Sequence, residues 1–126
     1  MKVRIKEKDD TSSYLLDKEY SVLCVEISLL GEMKYRLIPE DYIYSCIEDV
    51  KKFEIIDKTL PSSWVMHAWK NGLYELIPEP WLKDNFWENF YDGNEKEIKI
   101  YFNEILKMFP NDKMLQEKIK KNYTNM

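Results

Sequence analysis

From Tyr20 onward the chain alternates. Leu23, Val25, Ile27 and Leu29 take every second position, with Cys24, Glu26 and Ser28 between them, the period-2 pattern of a strand with one face buried. Gly31-Glu32 can turn this strand back into a second at Met33 to Ile38, so a hairpin is predicted. Pro39 has no N–H to give a ladder and ends it. The next stretch, Glu40 to Val50, fits either a short helix or an excursion loop carrying Tyr42, Ile43, Tyr44 and Ile47. Phe53 to Ile56 reads as a third strand, and Pro61-Ser62-Ser63 turns into a fourth at Trp64 to Trp69. Asn71-Gly72, suited to the two positive φ angles of a type I′ turn, leads into a fifth at Leu73 to Ile77.

The period changes after Pro78-Glu79-Pro80. Pro80 suits the first turn of a helix running through Tyr91, which Asp92-Gly93 halts. Asn94, with Glu97 three residues on, resembles a capping box. Behind it Ile98, Tyr101, Phe102, Ile105 and Phe109 form one apolar stripe at helical spacing. Pro110 ends that helix, and Asp112 caps a last, basic one with Leu115 and Ile119 on its thin apolar edge; fraying is expected beyond Asn122. The first 19 residues are polar, with Val3 and Ile5 marking a short edge strand and Asp9 to Ser13 a loop or disordered arm.

These elements define an α+β fold class: a small, strongly bent antiparallel sheet, which can close into an SH3-like barrel, followed by two or three C-terminal helices. One domain spans residues 1–126, its arm at 1–19, its β-rich part at 20–77 and its helical part at 80–122. A chain of 126 residues is long enough to bury a core without disulfides or a metal.

Charge narrows the partners. Nineteen basic against 23 acidic side chains give a net charge of -4, which argues against a nucleic-acid binder that must neutralise many phosphates. Cys24 and Cys46 belong to no C-x-x-C pair and have no histidine cluster beside them, so neither a zinc site nor another metal or cofactor site is expected. The N-terminus lacks the apolar core of a signal peptide, and no run approaches the roughly 18 apolar residues of a membrane span. A reducing cytoplasm, no membrane, and a monomer or homodimer are the expectations.

Catalytic parts are scarce. His67 is the single histidine, no serine or cysteine near it is set up as a nucleophile, and Gly31, Gly72 and Gly93 are too scattered for a phosphate loop or a dinucleotide fingerprint. No catalytic residue is assigned; carboxylates such as Glu40, Asp41, Glu48 and Asp49 leave only a small carboxylate-dependent enzyme as an outside alternative.

The acids are unevenly placed. Between Glu75 and Glu97 seven acids face only Lys83 and Lys96, so this segment carries -5 and the rest of the chain +1. On a continuous helix Asp84, Glu88 and Asp92 would stand one above another, a self-repelling stripe that a basic partner would relieve. Eight aromatics crowd between Trp64 and Tyr91, more than one small core layer needs, so some are expected at the surface as interface anchors. Trp69, opposite the Asn71-Gly72 turn, and Trp81, beside the acidic stripe, are the anchors predicted. With Glu75, Glu79, Asp84, Glu88 and Asp92 they make the predicted partner-binding set. The bland reading makes the acids a solvated face and the aromatics core.

The stretches Phe53-Glu54-Ile55-Ile56-Asp57, Leu60-Pro61-Ser62-Ser63-Trp64-Val65, Pro80-Trp81-Leu82 and Phe86 to Gly93 resemble small bacterial immunity proteins of polymorphic-toxin and contact-dependent inhibition loci. The resemblance covers roughly Tyr20 to Phe109 and rests on aromatic, structural positions, which speak to a common fold more than to an activity. It implies a non-enzymatic cytoplasmic protein that binds and blocks one cognate toxin domain, a basic nuclease being the type an acidic surface would suit. The competing class is an adaptor that takes short peptides along its sheet or an aromatic groove.

Overall fold

The computed structural model describes residues 1–7 and 13–123. Its strands are β1 (Lys2–Ile5), β2 (Tyr20–Ser21), β3 (Cys24–Ile27), β4 (Met33–Leu37), β5 (Cys46–Asp49), β6 (Phe53–Asp57), β7 (Trp64–Ala68) and β8 (Tyr74–Pro78). The helices α1 (Phe86–Tyr91), α2 (Glu95–Met108) and α3 (Lys113–Tyr123) follow. The fold is α+β with its helices at the C-terminal end. Most of the arm predicted at Asp9 to Ser13 lies outside the described residues, as does the stretch expected to fray beyond Asn122 apart from Tyr123, which is still in α3.

Two antiparallel sheets replace the single bent one that the strand pattern predicts, and neither closes: a three-stranded sheet in the order β2-β1-β6 and a five-stranded sheet in the order β5-β4-β3-β8-β7. The short strand around Val3 and Ile5 is therefore central rather than an edge. Phe53 to Asp57 leaves the main sheet to pair with it, Val3 opposite Ile55 and Ile5 opposite Phe53. The undecided stretch from Glu40 to Val50 supplies a strand, β5, along the free side of β4.

Alternation in the five-stranded sheet now has two covered faces to serve. Val25, Tyr35, Leu37 and Trp64 point to the small sheet and join Val3, Ile5, Tyr20 and Phe53 in one core. Cys24 and Ile77 point the other way, into a second core with Trp81, Phe86, Phe90 and the predicted stripe of α2, whose Tyr101, Phe102 and Ile105 are wholly buried. The molecule is thus small sheet, large sheet and helices in three layers.

Two local chemistries place the site elements. In the β7–β8 hairpin only Gly72 takes a positive φ, 86°, while Asn71 does not, so the turn is not type I′. The Gly72 N–H reaches the Trp69 carbonyl, the Trp69 N–H reaches the Leu73 carbonyl, and Asn71 Oδ1 accepts from the Leu73 N–H, a three-residue loop whose last position needs glycine. Helix α1 is shorter than predicted: a 3-10 turn at Glu79–Trp81 precedes it, and Asn85, in the left-handed region at φ 61°, breaks any continuity between them. At its far end Gly93 at φ 84° closes a Schellman motif, with the Gly93 and Asn94 N–H groups bonded to the Phe90 and Asn89 carbonyls. Asn94 caps α2 through the Lys96 N–H as predicted, but Glu97 turns to Lys83 at 2.6 Å instead of completing a box.

Candidate functional site

The hairpin geometry puts Trp69 and Glu75 together. Side chains of Trp69, His67 and Glu75 share the helix-side face of the large sheet; His67 lies directly opposite Glu75, and Trp69 is its diagonal neighbour. The Trp69 Nε1–H donates to Glu75 Oε1 at 2.9 Å, and the His67 ring meets the indole edge-on at 4.4 Å. Trp69 stays half-buried at the margin of the sheet, whereas Glu75 is only 4% exposed.

Glu75 does not stand alone on that face. Register places Glu26 of β3 directly across from it, and Lys34 of β4 across from Glu26. One turn of the pleat along, Arg36 projects beneath α1, 5% exposed. Its guanidinium lies 3.9 Å from the centre of the Trp87 ring and donates to Ser45 Oγ at 3.2 Å and to the Tyr91 hydroxyl at 3.0 Å, while that hydroxyl donates to the Ser45 carbonyl at 3.0 Å. Glu26 approaches Arg36 at only 3.8 Å, longer than a charge-assisted hydrogen bond. So two carboxylates share one guanidinium whose hydrogen bonds go to Ser45 and Tyr91 from a single nitrogen, with Nε left unpartnered. Burial first, then repulsion from Glu26, pushes Glu75 up to about 7, against the pull of Arg36, Trp69 and Cys24. Arg36, Glu26, Trp87 and Tyr91 belong to no predicted site; β4 alternation marks Arg36 as facing away from Tyr35 but does not say that a helix covers it.

The remaining predicted residues separate. Trp81 is 1% exposed, so it anchors no interface: the 3-10 turn folds its indole inward, stacked on Tyr101 at 5.4 Å and on Phe86 at 6.1 Å. Asp84 lies before the left-handed Asn85 and so is not on the helix with Glu88 and Asp92; the predicted three-acid stripe does not form. Glu79, Asp84, Glu88 and Asp92 are nonetheless all exposed. None of the four has an ion-pair partner among the described residues; of the nearby lysines, Lys83 pairs with Glu97 and Lys99 with Glu95. Asp92 also ends α1, where the helix dipole is negative.

Both thiols are free, Cys24 buried and Cys46 half-buried, and the described residues hold no cluster of three metal-ligating side chains. Among the described residues no helix is long and apolar enough to cross a membrane. No family model, no curated protein and no solved structure matches the chain.

Proposed function

We propose that this chain is a non-enzymatic protein-binding domain that neutralises a basic toxin domain in the cytoplasm. The observation that carries the reading is the connector from β8 to α2. It exposes four carboxylates, Glu79, Asp84, Glu88 and Asp92, with no counter-ion among the described residues. Such a surface accelerates encounter with a positively charged partner and gains from its lysines and arginines what its own side chains do not supply. The toxin as partner rests on the resemblance to immunity proteins described above. An adaptor is the second reading, favoured by β7: it ends the large sheet, contains no proline or lysine to guard that edge, and leaves Met66 58% exposed.

The test is rescue. If the product of the gene immediately upstream is toxic, cells producing it should survive when this chain is co-produced, and the pair should co-purify at low salt and separate as salt rises. A Glu88→Lys, Asp92→Lys double substitution should abolish rescue while the domain stays folded. Survival unchanged by that substitution removes the acidic connector from the interface, and failure of the wild-type chain to rescue removes the toxin reading.

A further inference from the structure

We infer that Glu26 and Glu75, walled by Trp69, form a socket for one arginine or lysine side chain of the partner protein; the inference rests on reading this chain as a binder of a basic protein. Like charges directly opposite in a sheet destabilise it, yet Glu26 and Glu75 are cross-strand partners. A buried carboxylate normally has every oxygen bonded, yet Glu75 Oε2, like Glu97 Oε2 on α2, makes no hydrogen bond and is sealed from water. Neither cation on this face repairs these defects. Arg36 bonds Ser45 and Tyr91 through one nitrogen, leaves its Nε without a partner and reaches Glu26 only at 3.8 Å, and Lys34, across from Glu26, is exposed and forms no ion pair among the described residues.

An incoming cation would supply both missing terms, a donor for Oε2 and a charge between the carboxylates. The route is from the β7 side. That strand is the edge of its sheet, and Trp69 and His67, which line Glu75 there, are both partly exposed. Swinging the indole away breaks a single hydrogen bond, Nε1 to Oε1, and leaves its face free to cover the cation. A planar guanidinium fits two carboxylates better than an ammonium does. The charged and titratable groups that face the pair are Arg36 and Lys34 from β4, Cys24 from β3 and His67 from β7. Filling the socket requires ionised Glu75, so binding releases a proton and strengthens with pH.

The probe is N-butylguanidinium, titrated into the full chain while the Trp69 indole N–H resonance is followed by NMR, with butanol as the uncharged control. A saturable shift is expected with the guanidinium and none with butanol. Binding should be about tenfold tighter at pH 8 than at pH 6, the ratio of ionised fractions for a group titrating at about 7. Glu75→Gln and, separately, Glu26→Gln should abolish the shift in a chain whose other amide resonances stay native. Glu54→Gln, in the small sheet, should leave it intact. The pH dependence should survive His67→Gln, which excludes the histidine as its source. No saturable shift of Trp69 at either pH, or a shift that persists in Glu75→Gln, overturns the socket. Toxin rescue by a Glu75→Gln chain at wild-type strength would also remove the socket while leaving neutralisation standing; a saturable, Glu75-dependent shift in a chain that rescues nothing would keep the socket and remove the toxin.

Discussion

The two faces of the five-stranded sheet use adjacent residues of the same strands for opposite ends. On β4, Tyr35 points into the core under the small sheet and Arg36 points beneath α1; on β3, Val25 and Glu26 divide in the same way. The small-sheet face is stabilised by area removed from water, which is non-directional and forgiving. The helix face is apolar near Trp81 and α2 but ends in Glu26, Arg36 and Glu75, where stability depends on directed bonds and an incomplete charge balance. Buried polar atoms without partners occur elsewhere too, at Trp64 Nε1 under the small sheet and Glu97 Oε2 on α2, so what sets the helix-face cluster apart is two carboxylates placed directly opposite each other beside one guanidinium.

Removing Trp81 gives the largest expected effect and tests whether its place is structural. Trp81→Ala empties the centre of the helix-side core and should cost about 3–5 kcal/mol in chemical denaturation. Trp69→Ala, at the half-buried margin, should cost under half of that. Equal losses would mean that the two tryptophans are not divided between core and site as their burial implies.

The paired substitutions Arg36→Ala and Tyr35→Phe set the two faces against each other within one strand. Losing Arg36 strands two carboxylates and takes the anchor from Trp87 and Tyr91, so a loss of about 3 kcal/mol is expected. Since α1 has only six residues, too few to stand without tertiary support, its amides should also exchange faster with solvent. Tyr35→Phe keeps the ring and should stay within about 0.5 kcal/mol. Similar costs for the two would erase the distinction between a bonded face and a packed one.

Much of the frame is legible in the chain, because hairpins and helix faces are written in local periodicity. The β3–β4 pair follows from alternation between Leu23 and Ile38, and the buried stripe of α2 from the spacing of Ile98 to Phe109. The second sheet is not legible, since β1 pairs with β6 across about fifty residues and no local pattern encodes a partner so distant. The site is only half legible for the same reason. Trp69 and Glu75 sit on one hairpin, so their meeting follows from a turn, whereas Glu26 and Arg36 join them through the sheet's register. Two local features hide the rest: a 3-10 turn folds Trp81 inward, and a left-handed asparagine at 85, which looks in sequence like any polar helix residue, cuts Asp84 off from α1.

Titration of Glu75 sharpens the comparison further. Its proton is held more tightly folded than unfolded, so between the ordinary carboxylate range and about pH 7 the native state binds more protons and stability falls as pH rises. Glu75→Gln removes that slope. The variant should match the wild type in urea unfolding at pH 5 and exceed it by about 2 kcal/mol at pH 8. A constant difference at both pH values would show that Glu75 does not titrate in this interval.

The smallest expected effect on stability comes from the exposed connector, and its smallness is what gives it meaning. Glu88 and Asp92 lie one turn apart on α1 and repel each other by roughly 0.2–0.5 kcal/mol, and Asp92 faces the negative end of the helix dipole. Glu88→Lys with Asp92→Lys relieves both, so the doubly substituted domain should be as stable as the wild type or more so, by at most about 1 kcal/mol at low salt. The gain should fade as salt screens it. Acids that cost stability and pair with nothing among the described residues are retained more readily for a partner than for the fold. If instead the double variant melts well below the wild type, Glu88 and Asp92 hold α1 in place, and the connector belongs to the architecture rather than to an interface.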